Sequence, residues 1–161
     1  MVRRLGGALG LKAERTNRKV EAEEREVEAA LRRFYDAIET MISGGGVEAM
    51  KNAWHHTDQV TSRHPIDDWS VGWDAIWATW QFTSSFGRPD RGGSKVNSAR
   101  VFVYGDVAYA TIVYTASSAW GGEKINCTNI LAKKEGAWKV VHHHADPSPA
   151  MQAALERMLA E

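Results

Sequence analysis

The sequence predicts a single α+β domain in which helices pack on one face of an antiparallel sheet. Apolar residues three and four positions apart from Val27 to Ile42 predict a helix, which glycines 44–46 end. Between Ser94 and Asp146, four strand-like runs separated by glycine-containing turns predict a meander. A chain of 161 residues with 43% hydrophobic side chains can form one core of this kind.

The segment between these two regions predicts a short helix, an extended stretch and a second long helix. The short helix covers about 47–55, and the extended stretch at 58–65 places His64 at a strand end before Pro65. Ser70 is the expected N-cap of the long helix. The apolar face of this helix consists of Trp73, Ile76, Trp77 and Trp80.

Charge and composition divide the chain into three parts. Residues 1–25 predict a charged N-terminal extension, 26–147 the folded domain, and 148–161 an amphipathic C-terminal helix. The apolar stretch at residues 5–11 is too short for a membrane span or a signal-peptide core, which predicts a cytoplasmic protein. The single cysteine, Cys127, fits a reducing compartment and a buried thiol.

The pattern of charge and apolar residues also predicts the partners. Twenty basic and twenty acidic residues give zero net charge, which argues against nucleic acid as a partner. Both faces of the predicted strands carry apolar side chains, with Phe102 and Tyr104 opposite Val101 and Val103. We therefore expect a homodimer formed through the second sheet face.

Four stretches of the sequence resemble the SnoaL-like branch of the nuclear transport factor 2-like (ketosteroid isomerase-like) superfamily, over about residues 26–147. They are Arg33-Phe34-Tyr35, residues 60–65 (VTSRHP), residues 72–76 (GWDAI) and residues 135–144 (EGAWKVVHHH). The resemblance implies a cone-shaped fold, in which helices close over a strongly curved antiparallel sheet around an apolar pocket. Members include isomerases, dehydratases and non-catalytic binding or assembly domains, so the fold does not specify the activity.

Histidines are the residues best suited to acid/base chemistry in such a pocket, because their unperturbed pKa is about 6.5. Strand alternation predicts that His142 and His144 share the pocket face with Trp138, while His143 points away. In the cone of the family, His64 would approach the same pocket, with Asp58 or Asp67 as the orienting carboxylate. The alternative is that His142 and His144 are core residues with structural hydrogen bonds.

The sequence matches the functional residues of ketosteroid isomerase only in part. His64 before Pro65 matches the position of its base, but its oxyanion-hole tyrosine falls on Phe34, and Tyr35 is one step round the helix. Its protonated acid falls near Asn129 and Ile130, so the oxyanion donors that steroid enolisation needs are absent. The resemblance therefore favours the dehydratase type of chemistry over steroid isomerisation.

Aromatic side chains predict a ligand that is hydrophobic or ring-shaped. The candidate ligand-binding residues are Trp54, Trp69, Trp73, Trp77, Tyr35, Tyr114, Asn129 and Trp138. The alternative is that the tryptophans only fill the core. A zinc site formed by His64, His142 and His144 is disfavoured, since the sequence has no helical His pair with metal-ligand spacing, and no metal or cofactor is expected.

Two functions follow from these residues. The first is a cofactor-independent isomerase or lyase that acts on a small hydrophobic molecule, and the second is a non-catalytic ligand-binding or assembly domain.

Overall fold

The computed structural model describes residues 6–66 and 68–161, with side chains from Arg18 onward. Helix α1 covers Gly6–Thr40 and continues into a π-helical turn at Met41–Gly45. The predicted helix is therefore present but longer than expected, because it runs without a break through most of the charged N-terminal segment. Its buried side chains begin at Val27, and residues 18–26 are mostly exposed. Residues 1–5 lie outside the described part of the chain.

The remaining helices are short. They are α2 (Met50–Ala53), α3 (Trp73–Ser84) and α4 (Pro149–Leu159). Helix α4 begins at the predicted proline, and the Ser148 hydroxyl caps it by accepting a hydrogen bond from the backbone N–H of Met151 at 3.1 Å. Within the described ranges, no helix has both the length and the apolar character to cross a membrane.

The six strands form one curved sheet with the order β2-β1-β6-β5-β4-β3. Their bounds are β1 Thr61–Arg63, β2 Trp69–Val71, β3 Lys95–Tyr104, β4 Val107–Thr115, β5 Lys124–Lys134 and β6 Ala137–Ala145. The predicted meander is confirmed, since β3 to β6 pair antiparallel in chain order. Strand β1 pairs with β6 in parallel, so the histidines of β6 lie beside the segment that leads to His64.

The predicted cap of α3 is wrong. Ser70 lies in β2, and Gly72, with φ of 82°, precedes the helix without a side-chain cap. This positive φ lets the chain turn sharply from strand to helix, and glycine adopts it without steric cost. The Ser70 hydroxyl instead contacts the Thr79 hydroxyl at 3.2 Å.

A single core lies between the helices and the concave face of the sheet. Its largest fully buried side chains include Phe34 of α1, Met41 of the π-helical turn, Trp54 directly after α2 and Leu131 of β5. Gly87 allows the chain after α3 to approach the π-helical turn, since a Cβ at this position would lie 2.2 Å from the Met41 carbonyl oxygen. This close packing joins the end of α3 to the π-helical turn that follows α1.

Candidate functional site

An interior cavity of about 60 Å³ lies between the helices and the concave face of the sheet. This is several times the space that a single water molecule needs. The polar side chains on its wall are Tyr35, His64, Thr83, Tyr114, Ser117, Cys127 and His143. The described wall contains no Asp, Glu, Lys or Arg, so the cavity is uncharged while its histidines are neutral.

A β-bulge in β6 determines which histidine faces this cavity. Val140 pairs with Leu131 and His142 with Ile130, which leaves Val141 as an extra residue. The alternation of inward-facing and outward-facing side chains is therefore reset after Val141. His143 faces inward, with 3% of its surface exposed.

The predicted face of the β6 histidines is accordingly wrong. The prediction assumed unbroken alternation from Trp138 to His144, and the bulge at Val141 reverses the phase after Val140. Trp138 and His143 point inward, whereas His142 and His144 lie on the outer face and are partly exposed.

His64 lies one residue beyond the end of β1 and is 5% exposed. Its ring makes an edge contact with Trp80 at 4.3 Å between centroids and lies 5.8 Å from the ring of His143. Burial lowers the pKa of His64 to about 4, because the charged imidazolium loses its water. His64 is therefore neutral at pH 7, and its pKa lies well below the value of about 6.5 on which its choice as an acid/base candidate was based.

His143 belongs to a buried hydrogen-bonded chain. The Tyr35 hydroxyl donates to Asn129 Oδ1 at 3.0 Å, and Asn129 Nδ2 lies 3.2 Å from His143 Nδ1. The Asn129 amide donates, so Nδ1 of His143 accepts and the ring proton is assigned to Nε2. Burial, reinforced by the neighbouring His64, holds the pKa of His143 well below its usual value.

Tyr35 and Asn129 thus have structural partners inside the cavity region. Tyr35 was expected one step away from the oxyanion position, yet its ring lines the cavity, and burial holds its pKa well above the usual value. Asn129 is fully buried and stands where the comparison enzyme has an acid, but its amide groups are used by Tyr35 and His143.

The other predicted catalytic residues are not brought to the cavity. The Thr61 hydroxyl lies 2.7 Å from His142 Nδ1, and the ring of Trp69 contacts both His142 and His144 on the outer face. Asp58 is exposed beside Gly72 and Trp73, and Asp67 lies outside the described residues.

The three-histidine zinc site is not assembled either, because His64 is on the inner side of the sheet and its two expected partners are on the outer side. In the described ranges, no group of three His, Cys, Asp or Glu side chains is arranged to hold a metal ion.

The tryptophans divide into three groups. Trp54 and Trp138 are core residues away from the cavity wall. Trp69 is 55% exposed, while Trp73 stacks on His56 and Trp77 lies under the Lys51 ammonium group.

The indoles that line the cavity are Trp80 and Trp120, which the candidate ligand-binding set did not include. Trp80 could have been found from its spacing of four from Ile76, since both are buried on one face of α3. Trp120 lies in a single 3₁₀ turn between β4 and β5, for which the sequence carries no periodic signal.

A second, larger groove of about 500 Å³ lies between α1 and β3. Tyr35 and Tyr114 line both the groove and the interior cavity, and their rings are 5.4 Å apart. The two tyrosines therefore separate the cavity from the groove.

A comparison with protein families agrees with the fold. The SnoaL-like domain matches residues 27–151, which is most of the chain. The chain belongs to the SnoaL-like domain family. The cone-shaped nuclear transport factor 2-like fold expected for a SnoaL-like domain is confirmed by the architecture and by solved structures.

Solved structures similar to this SnoaL-like domain carry several functional descriptions. A proposed calcium/calmodulin-dependent protein kinase type II association domain from Thiobacillus denitrificans is 26% identical, with a TM-score of 0.61 and coverage of 75% of this chain and 94% of that chain. A proposed dehydratase of the nuclear transport factor 2-like family from Streptomyces avermitilis is 21% identical, with a TM-score of 0.64 and coverage of 80% and 97%.

A proposed ketosteroid isomerase from Parabacteroides distasonis is 13% identical, with a TM-score of 0.54 and coverage of 72% and 86%. The dehydratase and the ketosteroid isomerase share the fold with this SnoaL-like domain. Their sequence identities are too low to indicate that the activity is shared. No curated protein matches the chain.

Proposed function

We propose that this SnoaL-like domain binds a small, uncharged hydrophobic or aromatic molecule in its interior cavity. We further propose that His64 and His143 move a proton on that molecule, as in a cofactor-independent isomerase or lyase. The observation that carries the proposal is the pair of buried imidazole rings, 5.8 Å apart, on an uncharged cavity wall.

The two rings suit different halves of a proton transfer. His64 is neutral and carries one lone-pair nitrogen, so it is the candidate general base. His143 has its Nδ1 occupied by the Asn129 amide and carries its proton on Nε2, so it is the candidate hydrogen-bond donor to developing negative charge. Asn129 and Tyr35 hold the His143 ring in this tautomer, which makes them positioning residues.

The uncharged wall limits the ligand. An ionised group would lose its water in this cavity without gaining an opposite charge, which is strongly unfavourable. Apolar side chains from α1, the loop after β1 and α4 complete the wall, so a small hydrophobic molecule gains from contact with them.

Native mass spectrometry of the purified protein, compared with its denatured mass, tests binding first. We expect a retained organic mass, which identifies a compound for turnover assays. His64→Gln should then lower kcat by roughly 100-fold or more, whereas His56→Gln, an exposed control, should leave it unchanged. Equal turnover in His64→Gln and the unaltered protein would exclude His64 as the base.

A second candidate function is a non-catalytic assembly domain, favoured by the aromatic residues on the outer sheet face. Phe102, Tyr104 and Tyr109 stack on one another there, and Tyr104 is 67% exposed. The 26% identity to a proposed kinase association domain also supports this candidate. Native mass spectrometry together with turnover assays distinguishes the enzyme from the assembly domain. A dimer that retains no ligand and turns over none of the compounds tested favours assembly.

A further inference from the structure

His142 and His144 form a pair of metal-ligating side chains on the outer face of β6 that the proposed function does not use. They are two residues apart and both follow the bulge at Val141, so they point to the same side, with backbones about 7 Å apart along the strand. Both residues are partly exposed. Imidazole is the commonest protein ligand of metal ions.

The separation of the two rings fits one shared ion. Their centroids are 6.3 Å apart and their planes are nearly perpendicular, at 84°. A metal–nitrogen bond of about 2.0 to 2.1 Å places a ring centroid roughly 3.2 Å from the ion, so two bound rings have centroids about 4.5 to 6.4 Å apart for ligand angles between a right angle and a straight line. Rotation about the side-chain bonds, without movement of the strand, is therefore enough to bring a nitrogen of each ring to one ion.

The neighbours of the pair leave a ligand nitrogen on each ring. The Thr61 hydroxyl lies 2.7 Å from His142 Nδ1, which orients this ring and leaves Nε2 as its ligand atom. The His144 ring lies beside the rings of Trp69 and His142, and its nitrogens make no hydrogen bond to a described residue. Burial and the neighbouring His144 lower the pKa of His142, so at pH 7 this ring is in the neutral form that binds a metal.

Charged groups around the pair limit the strength of binding. Arg63 of β1 stands in register with His144, and its positive charge opposes a bound cation. Asp146, two residues beyond His144, has the opposite charge, but its carboxylate accepts a hydrogen bond from the Asn126 amide at 3.0 Å. Among the described residues, no third His, Cys, Asp or Glu completes a metal-binding group with the pair. The protein therefore supplies two ligands, and water fills the remaining positions.

We propose that His142 and His144 chelate one divalent transition-metal ion on the outer face of the sheet, with Cu²⁺ bound most tightly. Cu²⁺ has the highest affinity of the first-row divalent ions and accepts a square-planar set of nitrogen and oxygen ligands, whereas structural zinc sites use four protein ligands. The sheet separates this site from the interior cavity, and β5 and β4 separate it from Phe102 and Tyr104 on β3. The proposal is therefore independent of the proposed function.

Isothermal titration calorimetry of the full, untagged chain with CuCl₂ tests the site, with glycine present to suppress weak binding elsewhere. We expect one ion per chain. His142→Gln and His144→Gln should each weaken binding at least about tenfold, since even the loss of a residue that only orients a metal ligand typically costs about this much. The matched control is the double variant His55→Gln/His56→Gln, which removes two other solvent-accessible histidines and should bind like the unaltered protein.

Two further variants test the surroundings of the pair. Thr61→Val removes the hydroxyl beside His142 and should weaken Cu²⁺ binding about tenfold. Arg63→Gln removes the opposing charge and should strengthen binding several-fold. Purely structural roles for these two residues would not change the affinity in opposite directions.

NMR of the unaltered ¹⁵N-labelled protein provides the test if a variant fails to fold. Paramagnetic Cu²⁺ should broaden the indole signal of Trp69, which lies beside both histidines, at lower concentration than that of Trp120 on the inner side. Absence of Cu²⁺ binding, or unchanged affinity in both single-histidine variants, would overturn the proposal. Loss of binding in the double control variant would place the ion elsewhere and overturn it as well.

Discussion

At His64, removal of water from around the ring sets the protonation state. The pKa falls from 6.5 to about 4, although the same residue type on the surface titrates close to neutral pH. The nearest ionisable ring on the described wall is His143, whose pKa is lowered by the same cause and by His64 itself. Both histidines are therefore held neutral by burial, and this state makes one a candidate base and the other a donor.

The depressed pKa of His64 predicts a pH-dependent stability. Between pH 6.5 and about 4, the unfolded chain binds a proton at this residue and the folded chain does not. The free energy of unfolding should therefore be highest above pH 6.5 and fall by about 3 kcal/mol from His64 alone as the pH approaches 4. His143 acts in the same direction.

Urea unfolding at several pH values measures this effect. His64→Gln should flatten the decline, and His56→Gln, at an exposed position, should preserve it. Parallel pH profiles for His64→Gln and the unaltered protein would show that His64 is not buried as a neutral ring.

At the level of the element, one extra residue in β6 decides the composition of the site. The bulge at Val141 keeps Trp138 and Val140 in the core and then turns His143 inward in place of its two neighbours. Strand β1, paired in parallel with the part of β6 after the bulge, carries the chain to His64. Bulge and parallel pairing together bring the two inner histidines to one cavity.

Deletion of Val141 tests the role of the bulge. Without the extra residue, either the inner side chains after it turn outward or the register with β5 shifts, and both expose buried groups. We expect a loss of more than about 3 kcal/mol in unfolding free energy. Val141→Ala keeps the bulge, and we expect it to cost less than about 1 kcal/mol because the side chain is only half-buried. Similar stabilities for the deletion and the substitution would contradict this role.

For the whole molecule, the two faces of the sheet have different partners. The inner face is covered by the helices and contains the cavity, while the outer face carries Phe102, Tyr104 and Trp69 exposed to solvent. An aromatic face of this kind is typical of a surface that meets another protein. We propose that a second copy of the chain covers this face, which gives the homodimer expected from the sequence. A twofold axis would bury the same apolar face of both copies at once.

Sedimentation velocity tests the proposed dimer. The unaltered protein should sediment as a dimer, and Phe102→Glu should produce a monomer by placing a charge within the apolar face. Phe82→Glu is the control, since Phe82 is comparably exposed but lies on α3, and it should remain dimeric. A monomeric unaltered protein, or a dimer that withstands Phe102→Glu, would contradict the proposed interface.

Local patterns in the sequence predicted most of the elements correctly. The spacing of Val27 to Ile42, the turns of the meander and Pro149 each act over a few neighbouring residues, so they can be recognised without a structure. The short β2, by contrast, was mistaken for a helix start, because Ser70 is an equally good cap residue by local criteria.

The sequence by itself determined the α+β class and the family, and the resemblance to that family placed His64 at the inner pocket. These depend on periodicity, turn chemistry and motifs that lie close together in the chain. Tertiary structure alone decided that His143 rather than His142 or His144 faces the cavity, and that Trp80 and Trp120 line it. The physical reason is that a bulge forms from the pairing of β6 with β5, and a cavity wall forms from packing between distant elements. Neither leaves a periodic signal along the chain.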